Sequence, residues 1–583
     1  MSRLDWIVLI VTLLVTILYG LYKSRTSRNL DGYFLSNRSM PWGLILLSIM
    51  GTQASAITFL SAPGQAYTDG MRFVQYYFGI PIAMVVIAIF FVPMFRRLKV
   101  YTAYEYLETR FDNKTRTLTS FLFLLQRGLS TGISVFAPSI ILSSLFGWNI
   151  YSTNLLMGGL LIIYTMTGGA RAVAYTQQLQ LIIVFAGMFL AAYMVVNMLP
   201  SNVSFTDALE VSGKLGKLNV ITTGFESGHF NWSDQYNLWS GLIGGFFLAL
   251  SYFGTDQSQV GRYLTARTLR ESRIGLLMNG LVKVPMQFAI LLIGALVFTF
   301  YQFNQAPVFF NQGQLKKLQQ SAVYRDSFTT LQQQYDGVVL QKQQAVLQYS
   351  AARDRKDEAG SGQSLAELRR LQQQSDSLRG RVKTWLNTKE VGGDGNDTNY
   401  IFLRFVVDHL PAGLVGLLIA IIFLASWGSI AAAINSLASC SMVDFHKRFT
   451  RQRETGEDEY VLSKWYTLGW GVFCIIVAMF TYNIGNSLIE AVNVLGSLFY
   501  GVILGVFLVA FFLKNIRSGQ VVFWAAVLAE LLVLAVFILT KMKVFSMGFL
   551  WLNPIGALGV VLFSGLLQLM QKENGSTEGK TVS

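Results

Sequence analysis

Thirteen apolar segments of membrane-spanning length follow one another along this chain, and they constrain its fold more than any other feature. A helix needs roughly 20 apolar residues to cross the hydrocarbon core of a bilayer. Because lipid offers no hydrogen bonds, the backbone must pair its polar groups internally. The sequence therefore predicts an all-α membrane protein. The predicted segments are 6–22, 42–61, 73–95, 121–146, 150–166, 177–199, 238–263, 275–303, 410–443, 462–482, 488–513, 521–540 and 548–569.

The overall composition agrees with this interpretation. Hydrophobic residues make up 52% of the chain and charged residues 13%, and the mean hydropathy is +0.45, which excludes an ordinary soluble domain. The formal net charge of +14 would suit nucleic-acid binding if the charges were clustered on one surface. They lie instead in short loops between apolar segments, which is typical of membrane topology. Cys440 and Cys474 both fall inside apolar segments, so neither a disulfide framework nor a metal cluster is predicted.

The basic loops predict the orientation of the chain in the cell membrane. They occur after every second segment, and the side that carries Lys and Arg is expected to be cytoplasmic. This places the N-terminus outside, and the C-terminus with a tail at 571–583 in the cytoplasm. The basic residues are Lys23, Arg25, Arg28, Arg38, Arg96, Arg97, Lys99, Arg110, Lys114, Arg116, Arg262, Arg267, Arg270, Arg273, Lys447, Arg448, Arg451, Arg453, Lys514 and Arg517.

A long polar stretch, 304–399, separates helices 1–8 of the predicted bundle (1–303) from helices 9–13 (400–570). Its apolar residues recur at helical spacing on both sides of Gly360-Ser361-Gly362, which predicts an external antiparallel helical hairpin that turns at these glycines. Either a solvated insertion with no role in transport or a docking site for an external protein partner fits this pattern. The apolar positions are Leu315, Leu318, Leu331, Tyr335 and Val338, then Leu368, Leu371, Leu378, Val382 and Trp385.

Two segments contain glycines and polar residues at membrane depth. The second segment reads Ser-Ile-Met-Gly-Thr-Gln-Ala-Ser-Ala-Ile-Thr over 48–58, and the seventh has a similar mixture over 241–256. Buried polar groups are costly in a bilayer, and interrupted helices in corresponding positions of two halves mark the binding sites of secondary transporters. Segments two to six and seven to eleven therefore predict a five-plus-five repeat, with the first repeat over about 40–200 and the second starting at about 238.

A third unusual stretch, 425–436, crowds small and hydroxyl residues into the ninth segment. Either close helix packing or an ion site would explain it. The sequence has no Gly-rich phosphate loop, catalytic triad or metal-ligand spacing, so we expect an ion gradient as the energy source and no enzymatic activity. Carbonyl and serine oxygens are hard ligands that suit sodium better than zinc or copper.

Several motifs resemble the sodium/solute symporter family. They are Phe-Val-Pro-Met-Phe-Arg-Arg-Leu at 91–98, Tyr-Thr-Ala-Tyr-Glu-Tyr-Leu-Glu-Thr-Arg-Phe at 101–111, Tyr-Thr-Met-Thr-Gly-Gly at 164–169, and 431–444. Within that family, 55–70 and 105–111 are most similar to the branch of iodide, multivitamin and monocarboxylate carriers. The resemblance covers nearly all of the chain except 304–399. It implies a LeuT-type inverted repeat in which sodium is the coupling ion and binds between the first and eighth core helices, here segments two and nine.

The resemblance also implies the sodium ligands. They are the backbone carbonyls of Gly51, Ala54 and Ala425 and the hydroxyl of Ser429. Gly428 belongs to this site but stands where the family usually has a second hydroxyl residue. Gln177 stands where many members have an aspartate, so the negative charge that would attract the cation is missing.

For the solute, the resemblance points to seven residues. Tyr252 matches an aromatic inner gate, and Lys283 is interpreted as the only basic residue well inside a span, where it could meet a substrate carboxylate or a structural partner. A hexose is disfavoured because Tyr77, Ala249 and Val492 replace the polar residues of sugar carriers. The predicted solute-binding residues are Gln53, Thr58, Tyr76, Tyr77, Tyr252, Phe253 and Lys283.

The sequence thus predicts a sodium-coupled importer of a small solute that works by alternating access. An organic anion or vitamin-like carboxylate is the first hypothesis for that solute. A neutral solute, such as a sugar, a polyol or an amino acid, is the alternative within the same class. A transporter-derived membrane sensor, in which the hairpin contacts a partner, is the alternative from another class.

Overall fold

The computed structural model describes residues 1–23, 30–201, 203–450, 456–481 and 488–578. The first part of the chain forms α1 (Arg3–Lys23), α2 (Leu30–Leu35), α3 (Trp42–Gln53), α4 (Ala56–Asp69), α5 (Ile80–Val86), α6 (Val92–Leu98), α7 (Glu105–Arg110), α8 (Asn113–Phe146), α9 (Ile150–Asn197) and α10 (Phe205–Lys214). The strands β1 (Phe225–Glu226) and β2 (His229–Phe230) then form a small antiparallel pair.

The rest of the described chain is also helical. It forms α11 (Gly245–Thr255), α12 (Gln257–Leu264), α13 (Leu269–Phe303), α14 (Gln312–Gln320), α15 (Arg325–Asp354), α16 (Glu358–Leu386), α17 (Thr398–His409), α18 (Leu414–Cys440), α19 (Lys447–Phe449), α20 (Gly456–Phe480), α21 (Leu488–Phe512), α22 (Gly519–Lys541) and α23 (Leu552–Glu578). Short 3-10 turns lie at Ser36–Arg38, Met71–Tyr77 and Phe549–Trp551, and short π-helical turns at Ile87–Phe91, Ser240–Gly244 and Ser441–His446.

Each predicted apolar segment coincides with an apolar helix. Among the described residues, ten helices are long and apolar enough to cross a membrane, and the bent pair α3–α4 makes eleven. The two other predicted segments match the shorter apolar helices Ile150–Met166 and Ser240–Thr255. The prediction of an all-α membrane protein is therefore confirmed, with ten or eleven of the predicted segments long and apolar enough to span a membrane.

Both predicted helix breaks are present. The axes of α3 and α4 differ by 61° across Ala54 and Ser55. In the second half, α11 gives way to α12 at Asp256, which has an extended backbone and accepts a hydrogen bond from Ser258 N at 2.7 Å. The carboxylate therefore caps the new helix and faces the positive end of its dipole. The breaks occupy the first helix of each predicted repeat.

The helix α9 contains two predicted segments in one run. Tyr164 Oη lies 2.5 Å from Thr176 Oγ1, 12 residues further along. In a straight helix these residues would be separated by about 18 Å along the axis. The axis therefore bends sharply between them, and the two arms of α9 occupy the places of two spans.

The predicted basic loops meet on one face of the bundle, which we call the basic-loop face. Arg38 Nη2 donates to Lys99 O at 2.9 Å, and Arg267 Nε donates to Ser39 O at 2.6 Å. Further contacts join Arg110 to Ile516 O at 2.9 Å, Arg116 to Asp444 at 2.5 Å, and Arg448 to Glu108. Arg25, Arg28, Arg451 and Arg453 lie outside the described residues. These contacts place the loops together, as the alternation of the sequence requires.

The N-terminus and the 304–399 stretch lie at the opposite end, which we call the hairpin face. Asp5 Oδ1 accepts a hydrogen bond from Gly413 N at 2.6 Å, just before α18 begins. α18 then crosses to the basic-loop face, where Asp444 follows it. α17 ends just upstream of Gly413 and starts beside Asp397, which is paired with Arg379 of the hairpin at 2.9 Å.

The predicted hairpin exists as α15 packed along α16, with α14 as a separate short helix before it. The expected apolar positions form its core, together with Val211 of α10 and with Val308 and Phe309. The predicted turn at Gly360-Ser361-Gly362 is wrong, because the chain reverses at 355–357 and both glycines lie in the first turns of α16. Asp357 Oδ1 accepts from Gly360 N at 3.0 Å and starts α16 before the glycines.

Candidate functional site

A cavity of about 130 Å³ lies beside both broken helices. It is bounded by α3, α4, the 3-10 turn Met71–Tyr77, α8, α11, α18 and α21. Its polar lining consists of Thr52, Gln53, Ser55, Thr58, Gln126, Arg127, Ser130, Thr131, Ser134, Ser429 and Asn493, and its aromatic lining of Tyr76, Tyr77, Tyr252 and Tyr500. We call this space the central cavity.

Five of the seven predicted solute residues line the central cavity: Gln53, Thr58, Tyr76, Tyr77 and Tyr252. The other two do not. Phe253 lines a small adjoining cavity with Gln53, Tyr76 and Tyr252. Lys283 is 1% exposed and lies behind the aromatic wall, with its ammonium 5.5 Å from the centre of the Tyr77 ring. The structure therefore gives Lys283 no direct contact with this cavity.

Arg127 was not among the predicted site residues, and the prediction that Lys283 is the only basic residue well inside a span is wrong. Arg127 lies in the fourth segment, on α8, and its guanidinium borders the central cavity. Its side chain is 11% exposed, with the guanidinium 5.8 Å from the centre of the Tyr252 ring. The signal was present, because Gln126-Arg127-Gly128-Leu129-Ser130-Thr131 is as polar as the two stretches that marked the helix breaks.

Asp256 and Arg127 form a loose ion pair. Arg127 Nη1 is 3.8 Å from Asp256 Oδ2, which is longer than a direct charge-assisted hydrogen bond. The same oxygen accepts from Tyr500 Oη at 2.6 Å, and Oδ1 accepts from the Ser258 amide and hydroxyl. These donors are neutral, so the carboxylate keeps its charge and offsets the guanidinium. Arg127 Nε has no hydrogen-bond partner among the described residues and could donate to an anion in the cavity.

Several buried polar atoms around the central cavity have no hydrogen-bond partner among the described residues. They are Gln53 Oε1, Gln126 Oε1, Arg127 Nε and Asn493 Nδ2. A buried polar atom without a partner costs about 1–3 kcal/mol. Two acceptors and two donors that all border one cavity indicate a ligand that has both acceptor and donor groups.

The helix break frees the two carbonyls of α3 that were predicted to bind sodium. In an unbroken helix, Ser55 N would donate to Gly51 O, and Thr58 N would donate to Ala54 O. Here Ser55 N donates to Gln53 O at 3.1 Å, and Thr58 N donates to Ser55 O at 3.0 Å. The carbonyls of Gly51 and Ala54 have thus lost their helical donors, as a cation site made from backbone oxygens requires.

The predicted ligands on α18 lie next to each other. Ser429 Oγ donates to Ala425 O at 3.0 Å and to Ser426 O at 3.1 Å. Ser429 also borders the central cavity, together with Thr52 and Ser55. A cation could take the hydroxyl oxygen and the Ala425 carbonyl without a change in the backbone.

Gln177 stands at the position where the resemblance implies an aspartate in many members of the family. Its Oε1 accepts from Ser48 Oγ at 2.8 Å, and its Nε2 donates to Thr52 Oγ1 at 3.2 Å and to Gly428 O at 3.0 Å. A Cβ on Gly51 would lie 2.8 Å from Gln177 Cβ. Because Gly51 has no Cβ, the Gln177 side chain has room beside α3. The amide joins α3, α9 and α18, and it occupies the carbonyl of Gly428, a residue that was predicted to belong to the sodium site.

Comparison with known proteins places this site in a defined family. The family model described as "Sodium:solute symporter family" matches residues 33–321 and 382–529. The sodium/sialic acid symporter of Proteus mirabilis is 24% identical over 571 residues, which are 96% of this chain and 93% of that protein. The human sodium/iodide cotransporter is 28% identical over 307 residues, which are 51% of this chain and 45% of that protein.

A solved structure of a Na⁺-coupled sialic acid symporter, in a substrate-bound outward-open state, has the same fold. It covers 97% of both chains with a TM-score of 0.72 and a sequence identity of 22%. This likeness, together with the two corresponding helix breaks, confirms the predicted LeuT-type inverted repeat. The family match skips 322–381, which is most of α15 and α16.

Proposed function

This chain belongs to the sodium:solute symporter family, its coupling ion is sodium, and we propose that its solute is a small organic carboxylate that carries several hydroxyl or amide groups. The observation that carries the proposal is Arg127. It is a cation at membrane depth that borders the central cavity, pairs with Asp256 only at 3.8 Å, and has an Nε without a hydrogen-bond partner among the described residues. A charge in that position is costly unless it binds something, and a guanidinium matches a carboxylate in shape and charge.

The rest of the lining supports a polyhydroxylated acid. Ser130, Thr131 and Ser134 follow Arg127 along α8 and border the same cavity. Their oxygens can accept hydrogen bonds from hydroxyl groups, and Asn493 Nδ2 is an additional donor. The name of the Proteus mirabilis relative gives sialic acid, an acidic sugar, as its solute, which fits this chemistry. A neutral sugar would leave Asp256 as the ionic partner of Arg127 and would bring no second anion to the guanidinium.

Sodium binding and solute binding share structural elements, which supports coupled transport. Gly51 and Ala54 lie at the end of α3, and Thr58 of the central cavity follows on α4. Ser429 is both a proposed sodium ligand and part of the cavity lining. An ion bound between α3 and α18 would therefore fix the position of residues that line the solute site. The free energies of sodium binding and solute binding should then be linked.

We also propose that the hairpin face is external and that transport is import. The basic-loop face collects Arg38, Lys99, Arg110 and Arg267 within hydrogen-bond distance of neighbouring loops. The positive-inside rule assigns such a face to the cytoplasm. The N-terminus and the hairpin lie at the other end of α18.

Uptake into proteoliposomes with an imposed sodium gradient tests the proposal. Labelled sialic acid, lactate and a neutral hexose are supplied in turn to wild type and to Arg127→Gln. We expect sodium-dependent uptake of an acid and a loss of at least tenfold in Arg127→Gln. Uptake of the hexose that Arg127→Gln leaves unchanged would overturn the assignment of a carboxylate.

The folding of the variant needs its own control. Arg127→Gln should keep a sodium-dependent rise in thermal stability, because the proposed sodium ligands on α3 and α18 are untouched. Loss of both responses would mean a misfolded variant, and Arg127→Lys would then be used, since it keeps the charge but not the two-pronged geometry.

A further inference from the structure

A second cavity, of about 320 Å³, lies where the hairpin meets the outer end of α4. Tyr67 and Thr68 of α4 form one side, and Lys342, Asp376 and Arg379 of the hairpin form the other. Lys217, from the loop after α10, completes it. We call this space the hairpin cavity. On α4, Thr58 and Tyr67 are about 14 Å apart along the axis, so the hairpin cavity is distinct from the central cavity.

The charge of the hairpin cavity is unbalanced. Four cationic side chains border it: Lys217, Lys342, Arg379 and Lys383. Two carboxylates offset them, Asp376 in the lining and the fully buried Asp397 behind it. Arg379 and Lys383 both pair with Asp397, at 2.9 and 3.4 Å. Lys217 and Lys342 are therefore left with Asp376 and with Asp69, which acts on Lys217 but is itself paired with Arg72 at 2.9 Å.

Lys342 is a buried cation whose direct partner is neutral. It is 4% exposed, and its ammonium donates to Gln372 Oε1 at 2.8 Å. Gln372 Nε2 in turn donates to Asp376 Oδ1 at 2.9 Å, so the amide stands between the ammonium and the carboxylate. Burial lowers the pKa of Lys342 to about 8, which shows that the fold disfavours this charge. An anion would offset that cost.

Lys217 points into the same space with neutral partners. Its ammonium donates to Thr68 O at 2.6 Å and lies 4.8 Å from the centre of the Phe298 ring. Burial also lowers the pKa of Lys217. The ammonium groups of Lys217 and Lys342 thus contact carbonyl, amide and ring partners. Because an ammonium has three N–H donors, each lysine keeps donors for a ligand.

Most of the charged residues of the hairpin cavity come from the part of the chain that the family model does not match. Lys342, Gln372, Asp376 and Arg379 all fall within 322–381, which the family model does not match, whereas Tyr67 and Lys217 lie inside the matched region. The cavity therefore forms between this insertion and the helix bundle that the family model matches.

We propose that the hairpin cavity is a binding site for a small carboxylate anion, separate from the transport site and on the hairpin face. Lys342 and Lys217 hold the carboxylate, and Tyr67 and Tyr335 offer rings to the rest of the molecule. That the anion is of the same class as the transported solute rests on the proposed function, whereas the binding of an anion here follows from the charges of the cavity alone.

Calorimetric titration of the purified full-length chain at low ionic strength tests this proposal. Sialic acid, lactate and inorganic phosphate serve as probes. The Arg127→Gln background removes the central site, so that the binding that remains reports on the hairpin cavity. We expect a carboxylate to bind Arg127→Gln and to bind at least tenfold more weakly once Lys342→Met is added. Lys316→Met, on the exposed surface of α14, is the matched control and should change nothing.

The outcomes separate the two proposals. Failure of both carboxylates to bind Arg127→Gln, or binding that Lys342→Met leaves unchanged, overturns the hairpin site whether or not the protein transports acids. Binding of phosphate alone also overturns it. Carboxylate binding to Arg127→Gln combined with hexose uptake by wild type would refute only the proposed solute.

A second measurement distinguishes a ligand site from a structural lysine. Replacing a buried cation that lacks an ionic partner by an apolar residue of similar length should leave the thermal unfolding temperature equal or higher. A lower unfolding temperature for Lys342→Met, together with unchanged anion binding, would show that Lys342 serves only the fold.

Discussion

At the residue scale, the proposed ion site departs from the family resemblance at two positions: Gly428 stands where a second hydroxyl residue is usual, and Gln177 stands where many members have an aspartate. Gln177 Nε2 donates to Gly428 O, and the amide is neutral. The cation must then be held by the carbonyls of Gly51, Ala54 and Ala425 and by the Ser429 hydroxyl. With so few oxygens, each one should contribute measurably to the affinity for sodium.

Ser429→Ala should raise the sodium concentration for half-maximal uptake about tenfold, equivalent to about 1.4 kcal/mol, because it removes the side-chain oxygen. Solute uptake measured against sodium concentration in proteoliposomes gives this value. Ser436→Ala is the matched control, because Ser436 is also buried on α18 and donates to the carbonyl four residues back, at 2.8 Å. An equal effect of both substitutions would mean that the serines act through helix packing.

Gln177→Glu should make the protein more dependent on sodium. The new carboxylate would face Gly428 O without a proton to donate, which should lower the thermal unfolding temperature in sodium-free buffer. A cation between the oxygens would relieve the repulsion, so we expect a larger rise of the unfolding temperature with added sodium than in wild type. Potassium at the same ionic strength controls for screening. The same response in both salts would contradict a sodium site beside Gln177.

At the element scale, close helix crossings hold the two repeats together. Gly294 of α13 faces Pro63 of α4, and a Cβ on Gly294 would lie 2.1 Å from Pro63 O. Gly64 of α4 is equally close to Thr398 of α17, where a Cβ would lie 2.0 Å from the carbonyl oxygen. α4 is thus wedged between two helices through glycine contacts, which favour close approach of backbones in membranes.

Gly294→Ala should destabilise the protein by about 1–3 kcal/mol, because α13 must move away from α4 to admit the methyl group. Thermal unfolding of the purified protein measures the loss. Gly337→Ala on α15 is the control, since a Cβ there meets nothing within 4 Å. Alanine is the better helix former, so this control should be neutral or slightly stabilising. Equal loss in both variants would contradict the packing argument.

Prediction from sequence succeeded for the elements and was weaker for contacts between them. Apolar length and glycine-rich polar stretches are local, and they were enough to place each span and both helix breaks. Arg127 was missed because the polar run 126–131 is short beside the apolar residues of the fourth segment and hardly lowers the hydropathy of that segment. The inability of Lys283 to reach the central cavity depends on the Tyr77 ring, which is distant in sequence. The hairpin turn was misplaced because Asp357 caps α16 ahead of the glycines.

At the scale of the whole molecule, the two faces of the bundle differ in charge and in architecture. One face gathers arginine-rich loops around Asp444 and Glu108, and the other holds the N-terminus, the hairpin and its cavity. The two cavities both border α4, with Thr58 in one and Tyr67 in the other. The orientation of these faces decides which compartment supplies the solute.

Cysteine labelling in intact cells should show the hairpin face outside. A membrane-impermeant maleimide should react with Lys316→Cys at once, and with Arg97→Cys only after permeabilisation, because these residues are exposed on opposite faces. The native Cys440 and Cys474 are fully buried and should give little background. The reverse pattern would place the N-terminus in the cytoplasm and make the carrier's import direction untenable as proposed.

The contacts of α4 with the insertion have a mechanical consequence. α4 is anchored to the 304–399 stretch by Tyr67, whose ring centre lies 5.5 Å from that of Phe310, and by Ser61, which bonds Asn399 at 2.7 Å. As a rod about 21 Å long that pivots near Ser55, α4 would swing its far end by several ångströms for a tilt of about ten degrees. The inserted hairpin must therefore move when α4 tilts. A molecule that binds the hairpin from outside and holds it in place would slow the turnover of the carrier without contacting the solute.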